Sequence, residues 1–550
     1  MSSQKPSAGG PSSLVRSNLA VASGTAVSRV TGLLRIVVFG IIIGQSALAD
    51  AYDGANNSPN SIYELFIGGV FAATLVPLFT KIFHNRDTDA ATEDDLSAAD
   101  AIFSVGIVVL ALVTLLSVVL APQIFHLFAI NVAPGIDASE YRNIGTMLTR
   151  IFVVQIFFYG IGALATAALN ARRRFFAAAW APVASNIVVI CLLLLVPGVV
   201  DGQPTLQAIS EQPSLRWLLG LGATGGIATM AAILFMALRN ANISFHFRPQ
   251  FRHPAVKQLA RLSGWTFGYV VANQIALIVI RNLAEPGSGG PDAYTKAYIF
   301  FQLPHGLLAV SLATTFAPEL ARAVAERNRI FFAERMSLGI RLIALLTLPF
   351  SFLVLVIARP SVGALLQHGN FSALAADNTA RALMGFSLGL VGFSVYLFVL
   401  RGFYAHEDTR TPFIINCFEC VLNIVFAAVL VGRYGVLGLG LAFALAYLVS
   451  AVFALAVLEA KVPIFEMRAM LISLVPMVLS AVVAAELAWG VGRIIGATAG
   501  IGALIRVVVC GVVGLATYGA MLALFKVPEV HYLGARFNAL RSKQPAHLGE

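Results

Sequence analysis

The chain has 550 residues, of which 58% are hydrophobic and 12% charged, about half the charged share of a soluble domain. That composition excludes a water-exposed exterior and points to one large membrane domain. The formal net charge of +10 sits mostly in loops between apolar runs, so it reads as a topology signal and gives no reason to invoke nucleic acid.

Residues 1–13, MSSQKPSAGGPSS, are polar and rich in Gly, Pro and Ser, the composition of a disordered tail. The apolar run that follows is too long for a signal peptide. It is the first of about fourteen spans of roughly 20 residues, the length that crosses the hydrocarbon. These centre near Val30, Val70, Val109, Gln155, Val189, Ile227, Val271, Ser311, Leu346, Leu388, Leu422, Leu445, Leu479 and Gly511. An even number places both termini on one side. Lys and Arg gather in alternate loops, at Arg172–Arg174, at Arg239, Arg248, Arg252 and Lys257, and at Arg322, Arg327, Arg329 and Arg335. The intervening stretches Gln45–Ser58 and Pro197–Pro213, read as loops, are nearly free of them. The positive-inside rule then predicts cytoplasmic termini.

Two segments repeat. LNARRRFFAAAWAPVASNIV from Leu169 resembles HEDTRTPFIINCFECVLNIV from His406, with Asn186 and Asn423 separated by 237 positions (423 − 186). GGVFAATLVPLFTK from Gly68 resembles LLAVSLATTFAPELAR from Leu307, with Pro77 and Pro318 separated by 241 (318 − 77). Six spans fit in that interval, which predicts an all-α polytopic fold of two parallel six-helix lobes plus a C-terminal helix pair. The expected boundaries are a lobe over 14–240, a second over 255–460, the added pair over 466–526 and a cytoplasmic tail over 527–550.

The chemistry starts in the first span, where Arg29 and Arg35 interrupt an apolar run. A charge at mid-membrane costs a few kcal/mol and generally faces a cavity or a partner. Ser28, Gly32 and Arg35 share one helix face, and Arg29 lies about 100° round from Ser28. Arginine suits a phosphate because its planar fork donates two parallel hydrogen bonds and keeps its charge. The alternatives are snorkelling to the headgroups or pairing with Asp50, Asp53 or Glu64. Further intramembrane groups are Arg281, Lys296, His305 and Glu419, together with Glu486 and Arg506, which suit either an interhelix ion pair or a substrate contact. His305 follows Pro304 at an expected helix break. Glu419 is either a coupling-ion group or a satisfied structural acid. Asp408 and Arg410, before Pro412, suit a local cap or salt bridge.

No catalytic motif is present: a GxxxxGK[ST] loop is absent, and the acidic run Asp87, Asp89, Glu93, Asp94 and Asp95 reads as a solvated loop. Cys191, Cys417, Cys420 and Cys510 lie inside apolar runs, and the lone CxxC of Cys417 and Cys420 reads as core thiols, not a metal site. The residues thus describe a transporter for an anionic substrate.

SRVTGLLR (Ser28 to Arg35), ADA (Ala49 to Ala51), PN (Pro59, Asn60), FAATLVP (Phe71 to Pro77), LPHGLLAVSLATTFAPELAR (Leu303 to Arg322) and RGFYAHEDTRTP (Arg401 to Pro412) resemble the MurJ/MviN lipid II flippases of the multidrug/oligosaccharidyl-lipid/polysaccharide exporter superfamily. The resemblance implies a non-enzymatic transporter of the bacterial cytoplasmic membrane. It implies a central cationic cavity and alternating access that moves undecaprenyl-pyrophosphate-linked peptidoglycan precursor to the outer leaflet. No cofactor is implied; coupling to membrane potential or an ion gradient is. Lipid II, membrane lipids and cell-wall synthesis proteins are the implied partners. The alternative within the superfamily is an exporter of polysaccharide repeat units or, by cation antiport, of drugs. Arg29 and Arg35 carry over directly as substrate-binding residues. Asp50 matches the family acid of the ADA motif and joins Ser28, Glu64, Asp408, Arg410 and Glu419 as gating or structural candidates. The chain departs from the family at Ile36, where members often carry an acid, and at Tyr63 and Glu64, where many have paired arginines. At Ile299 it lacks the eighth-helix arginine, and Lys296, roughly one turn away, is the nearest cation and the third substrate-binding candidate.

Overall fold

The computed structural model describes residues 11–64, 75, 79–80, 83, 93–241, 243, 245–254, 256–257 and 264–530. The expectations for residues 1–10, for most of the second span including Pro77, for Asp87 and Asp89, and for 531–550 lie outside the described residues. All regular elements described are helical. The reason is that hydrocarbon offers backbone N–H and C=O groups no partner, so each segment must satisfy its own.

Two compact units separate. The first comprises residues up to Gln274 together with Pro286–Gly289. Its helices are α1 (Pro11–Ile43), α2 (Ala47–Tyr63), α3 (Glu93–Val119), α4 (Ala121–Phe128), α5 (Ala138–Phe152), α6 (Gln155–Ala171), α7 (Phe175–Leu193), the short α8 (Leu206–Glu211) and α9 (Pro213–Asn240). Helix α10 (Gly264–Leu283) passes from the first unit into the second. The second unit continues with α11 (Gly290–Pro304), a π turn over His305–Ala309, α12 (Val310–Ala325), α13 (Arg329–Leu366), α14 (Ala373–Ser387), α15 (Leu390–Ala405), α16 (Arg410–Tyr434), α17 (Val436–Lys461), α18 (Met467–Ile495) and α19 (Gly500–Leu524).

Among the described residues, 11 helices are long and apolar enough to cross a membrane, and the α14–α15 pair, bent by 50° at a short break, adds one more. Helix α10 supplies a shorter apolar stretch, Phe267–Leu283. With the second span, of which only the first part is described, the count is compatible with fourteen.

The elements differ from the expected ones in several places: α8 (Leu206–Glu211) lies inside the expected loop Pro197–Pro213, and Glu93, Asp94 and Asp95, read as a loop, belong to α3. Residues 11–13, read as tail, are already helical in α1. Gln45–Ser58, read as a loop, is mostly helix α2. Its small and polar residues lower the hydropathy, yet Ala49, Asp50, Ala51, Gly54, Ala55 and Ser58 are buried, and Ser46 caps the first turn by accepting from Ala49 N at 3.3 Å. At the other end Val527 and Glu529 are buried, and Glu529 pairs with Arg341 at 3.0 Å, so the start of the expected tail is packed against α13.

Within each unit the same neighbours recur. In the first, α2 packs on α5, α3 on α6 and α7 on α9; in the second, α11 packs on α14, α13 on α15 and α16 on α17. The last pair, α18 and α19, pack on each other and on α13. Tyr518 of α19 donates to the carbonyl of Leu345 at 2.9 Å.

The core of the second unit is aromatic. Phe301, Phe386, Phe393 and Phe443 surround one another, with Phe386 and Phe443 at 5.0 Å and Phe443 and Tyr447 at 4.5 Å. Helices α14 and α17 cross backbone to backbone beside this cluster: a Cβ at Gly440 meets the carbonyl oxygen of Ala382 at 2.5 Å. Gly440→Leu is therefore expected to destabilise the fold by roughly 1–3 kcal/mol or more through overpacking. Gly511, which has nothing within 4 Å of its Cβ position, should accept alanine without loss. Thermal unfolding of the two purified variants in detergent checks the contrast.

Candidate functional site

Arg29 and Arg35 lie on α1 within Ser23–Ile43, a span of mean hydropathy 2.0. Arg29 is exposed and Arg35 half-buried. The acids that might have neutralised them are engaged elsewhere. Asp53 accepts from Asn57 Nδ2 at 2.8 Å, Glu64 from Gln274 Nε2 at 2.9 Å, and Asp50 from two backbone amides. Among the described residues, neither arginine forms a hydrogen bond or ion pair with a carboxylate. Arg35 lies within electrostatic range of two phenols, Tyr52 on α2 and Tyr159 on α6, and Tyr159 packs on Tyr63 at 5.4 Å. Tyrosine hydroxyls donate hydrogen bonds without carrying charge, so they suit an anion beside an arginine. Neither Tyr52 nor Tyr159 was expected from the sequence. Tyr52 lies two residues after Asp50 in a readable motif, whereas Tyr159 had no signal.

Helix α1 is fastened to α7 by Asn186, whose Nδ2 donates to the Ser28 carbonyl at 3.3 Å and to Thr31 Oγ1 at 3.1 Å. Ser28 therefore contributes its backbone to the helix pair, next to Arg29. The Asn186 of the sequence repeat is a structural rivet.

Asp50 occupies the first turn of α2 and is 1% exposed. Its Oδ2 accepts from Gly287 N at 2.9 Å and Gly289 N at 2.7 Å. Both glycines have positive φ, 100° and 84°, a conformation that side chains disfavour. A Cβ at Gly289 meets Gln45 Cγ at 2.6 Å. The 286–289 turn is held again where Ala133 N donates to the Pro286 carbonyl at 2.9 Å. A carboxylate gripping two amides makes strong charge-assisted bonds.

In the second unit Lys296 is 3% exposed and forms an ion pair with Asp292, one turn earlier on α11. Its charge is matched within its own helix, and its ammonium lies over the Phe371 ring at 5.6 Å. Asp292 was not singled out in the sequence, although PDAY at Pro291–Tyr294 matches ADAY at Ala49–Tyr52. Arg281 donates to Thr295 Oγ1 at 3.1 Å. His305 sits at the start of the π turn, where a break was expected after Pro304, and meets Ser394 Oγ at 2.9 Å. Glu419 is 2% exposed; its Oε2 accepts from Cys420 Sγ at 3.6 Å, while its Oε1 has no partner among the described residues. The expected Glu486–Arg506 pair does not form. Glu486 is exposed, and Arg506 instead reaches the carbonyl of Ala497 at 3.3 Å beyond the end of α18.

Asp408 precedes α16 and accepts from Thr411 N at 2.9 Å and from Thr411 Oγ1 at 2.6 Å. Its ion-pair partner is Lys461 at the end of α17, while Arg410 stands exposed at the start of α16. Burial raises the Asp408 carboxyl, but the hydrogen bonds from Lys461 and Thr411 and the Lys461 charge outweigh it and lower it from 3.8 to about 2. A depressed carboxyl stabilises the fold above its ordinary value, and that contribution is lost as pH falls toward about 2. Acid titration of thermal stability should show this loss between those values in the native chain, and Asp408→Asn should flatten it.

Comparison with known proteins shows a family. The model of a family described as lipid II flippase MurJ matches residues 40–509. A probable lipid II flippase MurJ from Rhizobium meliloti (strain 1021) is 31% identical over 420 residues, covering 76% of this chain and 75% of that protein. The lipid II flippase MurJ of Burkholderia cenocepacia is 29% identical over 401 residues, covering 72% and 75%. A solved lipid II flippase MurJ in an inward closed conformation shares the fold at a TM-score of 0.73 and 20% identity, covering 93% of this chain and 100% of that one. An inward-facing multidrug resistance MATE family transporter of the MOP superfamily follows at 0.59 and 14% identity, covering 80% and 99%.

Proposed function

The chain belongs to the MurJ lipid II flippase family, and from that premise we propose that it carries lipid II from the inner to the outer leaflet by alternating access, holding the pyrophosphate at Arg29 and Arg35. The observation that carries this reading is the pair of arginines on an apolar span with no carboxylate partner among the described residues. An uncompensated cation there is costly, and an anionic substrate removes the cost when it binds. Tyr52 and Tyr159 are placed to add neutral donors beside Arg35. The prenyl chain needs no polar site and stays in lipid.

A multi-span protein of this family resides in the inner membrane, and we place both its termini in the cytoplasm because the Lys and Arg clusters share their side. The recurring helix neighbours support two lobes over 14–240 and 255–460, with 466–526 as an added pair. Asp50 is the gating group: its hold on the 286–289 turn has to be released if that turn moves during transport. Glu419, buried with one oxygen unpartnered, is the group assigned to ion coupling. Lys296 supports α11 and does not touch substrate.

Outer-leaflet lipid II, measured in cells depleted of their own flippase and rescued with this chain, tests the substrate site. Arg29→Ala should abolish rescue with the protein still in the membrane, and Arg29→Lys should restore it only in part, because a single ammonium cannot reproduce the bidentate grip. Full rescue by Arg29→Ala removes that residue from the mechanism. Asp50→Asn should slow transport while hydrogen exchange at Gly287 and Gly289 accelerates; unchanged exchange contradicts the gating role. Glu419→Gln should leave substrate binding intact and make transport insensitive to collapse of the ion gradient.

A further inference from the structure

We propose that residues 245–254 and 256–257 of the first unit form a docking surface for anionic phospholipids of the leaflet nearest the termini. The proposal rests on the membrane orientation given above, but not on the substrate site.

Three polar residues on one face of α3 hold this segment, Asp100 and Ser104 by its backbone and Ser97 by the His253 ring. Asp100 Oδ1 accepts from His246 N at 2.9 Å, and Ser104 Oγ donates to the His246 carbonyl at 3.2 Å while accepting from Arg248 N at 2.7 Å. Ser97 Oγ lies 3.3 Å from His253 Nε2. Phe245 stacks on Phe103 with centroids 4.2 Å apart and planes within 5°. From Ser97 to Ser104 α3 rises by about 10 Å, a distance comparable to the headgroup layer. Ser97 also begins the apolar stretch of that span, which has mean hydropathy 2.8. The segment is thus strapped along the end of a membrane helix, at the level where hydrocarbon gives way to headgroups.

The strap's inner edge is consumed by these contacts, and its other side chains stand out. Phe247 and Phe251 are 64% and 52% exposed, and Arg248, Arg252 and Lys257 are exposed beside them. Among the described residues, none of these three cations pairs with a carboxylate. In the second unit Arg322, Arg335, Arg341, Arg359 and Lys461 each meet an acid of their own unit, and Arg322 serves as a paired control. Unmatched cations interleaved with exposed phenylalanines at headgroup depth are complementary to an anionic lipid surface, which neutralises the former and takes up the latter.

The test uses the full chain in nanodiscs of phosphatidylcholine alone or mixed with phosphatidylglycerol. Hydrogen exchange at residues 245–254 and 256–257 should slow in the mixed discs. Native mass spectrometry should show phosphatidylglycerol retained by the native chain and lost on Arg248→Gln with Arg252→Gln, each cation being worth about fivefold in binding. Arg248→Lys with Arg252→Lys should retain it, and Arg322→Gln should have no effect. Phe247→Ser with Phe251→Ser should weaken protection in both kinds of disc. Equal exchange in the two lipids, or equal retention by the native chain and the double Gln variant, overturns the proposal. If the double variant fails to fold, the native-chain exchange comparison decides alone. Arg29→Ala should lose transport yet keep the lipid response, which separates failure of this surface from failure of the substrate site.

Discussion

Hydrocarbon provides no hydrogen bonds and no screening, so every polar group carried into it must find its partner inside the protein or on a ligand. That constraint makes the described elements helical and dictates how each charge is placed. Asp50 is buried because two amides grip it. Lys296 is buried because Asp292 lies one turn away. Arg506 satisfies a carbonyl beyond a helix end. Arg29 and Arg35 stand apart, since no acid among the described residues answers them, and a pyrophosphate is chemically suited to complete that pairing.

The grip of Asp50 links local geometry to transport. The turn it holds requires positive φ at Gly287 and Gly289, and their amides converge on one carboxylate oxygen. Charge-assisted bonds of this kind are strong while the site is dry and exchange readily for water once it opens. Such a contact can therefore stabilise one conformation without trapping it. Residues 286–289 belong to the first unit although their flanking helical residues belong to the second, so this turn is where the division of the chain departs from its order in sequence.

The recurrence of helix neighbours gives physical content to the sequence repeat. Asn186 was one of its anchors because an asparagine inside an apolar helix must be bonded, and it is, to α1. Its counterpart Asn423 leaves Oδ1 without a partner among the described residues. Asp50 holds a turn, whereas Asp292 holds a lysine.

By itself the sequence determined the membrane class, the all-helical fold, the two arginines of the first span and the family that its motifs resemble. These are properties of local composition, spacing and one-dimensional pattern, which need no knowledge of neighbours. It misread Gln45–Ser58 as a loop, because a helix buried through small and polar residues lacks the hydropathy of a span. It also offered a Glu486–Arg506 pair, which does not form. Only the tertiary structure decided which charges are matched, that Tyr52 and Tyr159 lie within electrostatic range of Arg35, and that Asp408 meets Lys461 across 53 positions of chain. Whether a charged residue in a membrane serves a ligand or a neighbour depends on what lies within a few ångströms of it, and that distance is set by how the helices pack.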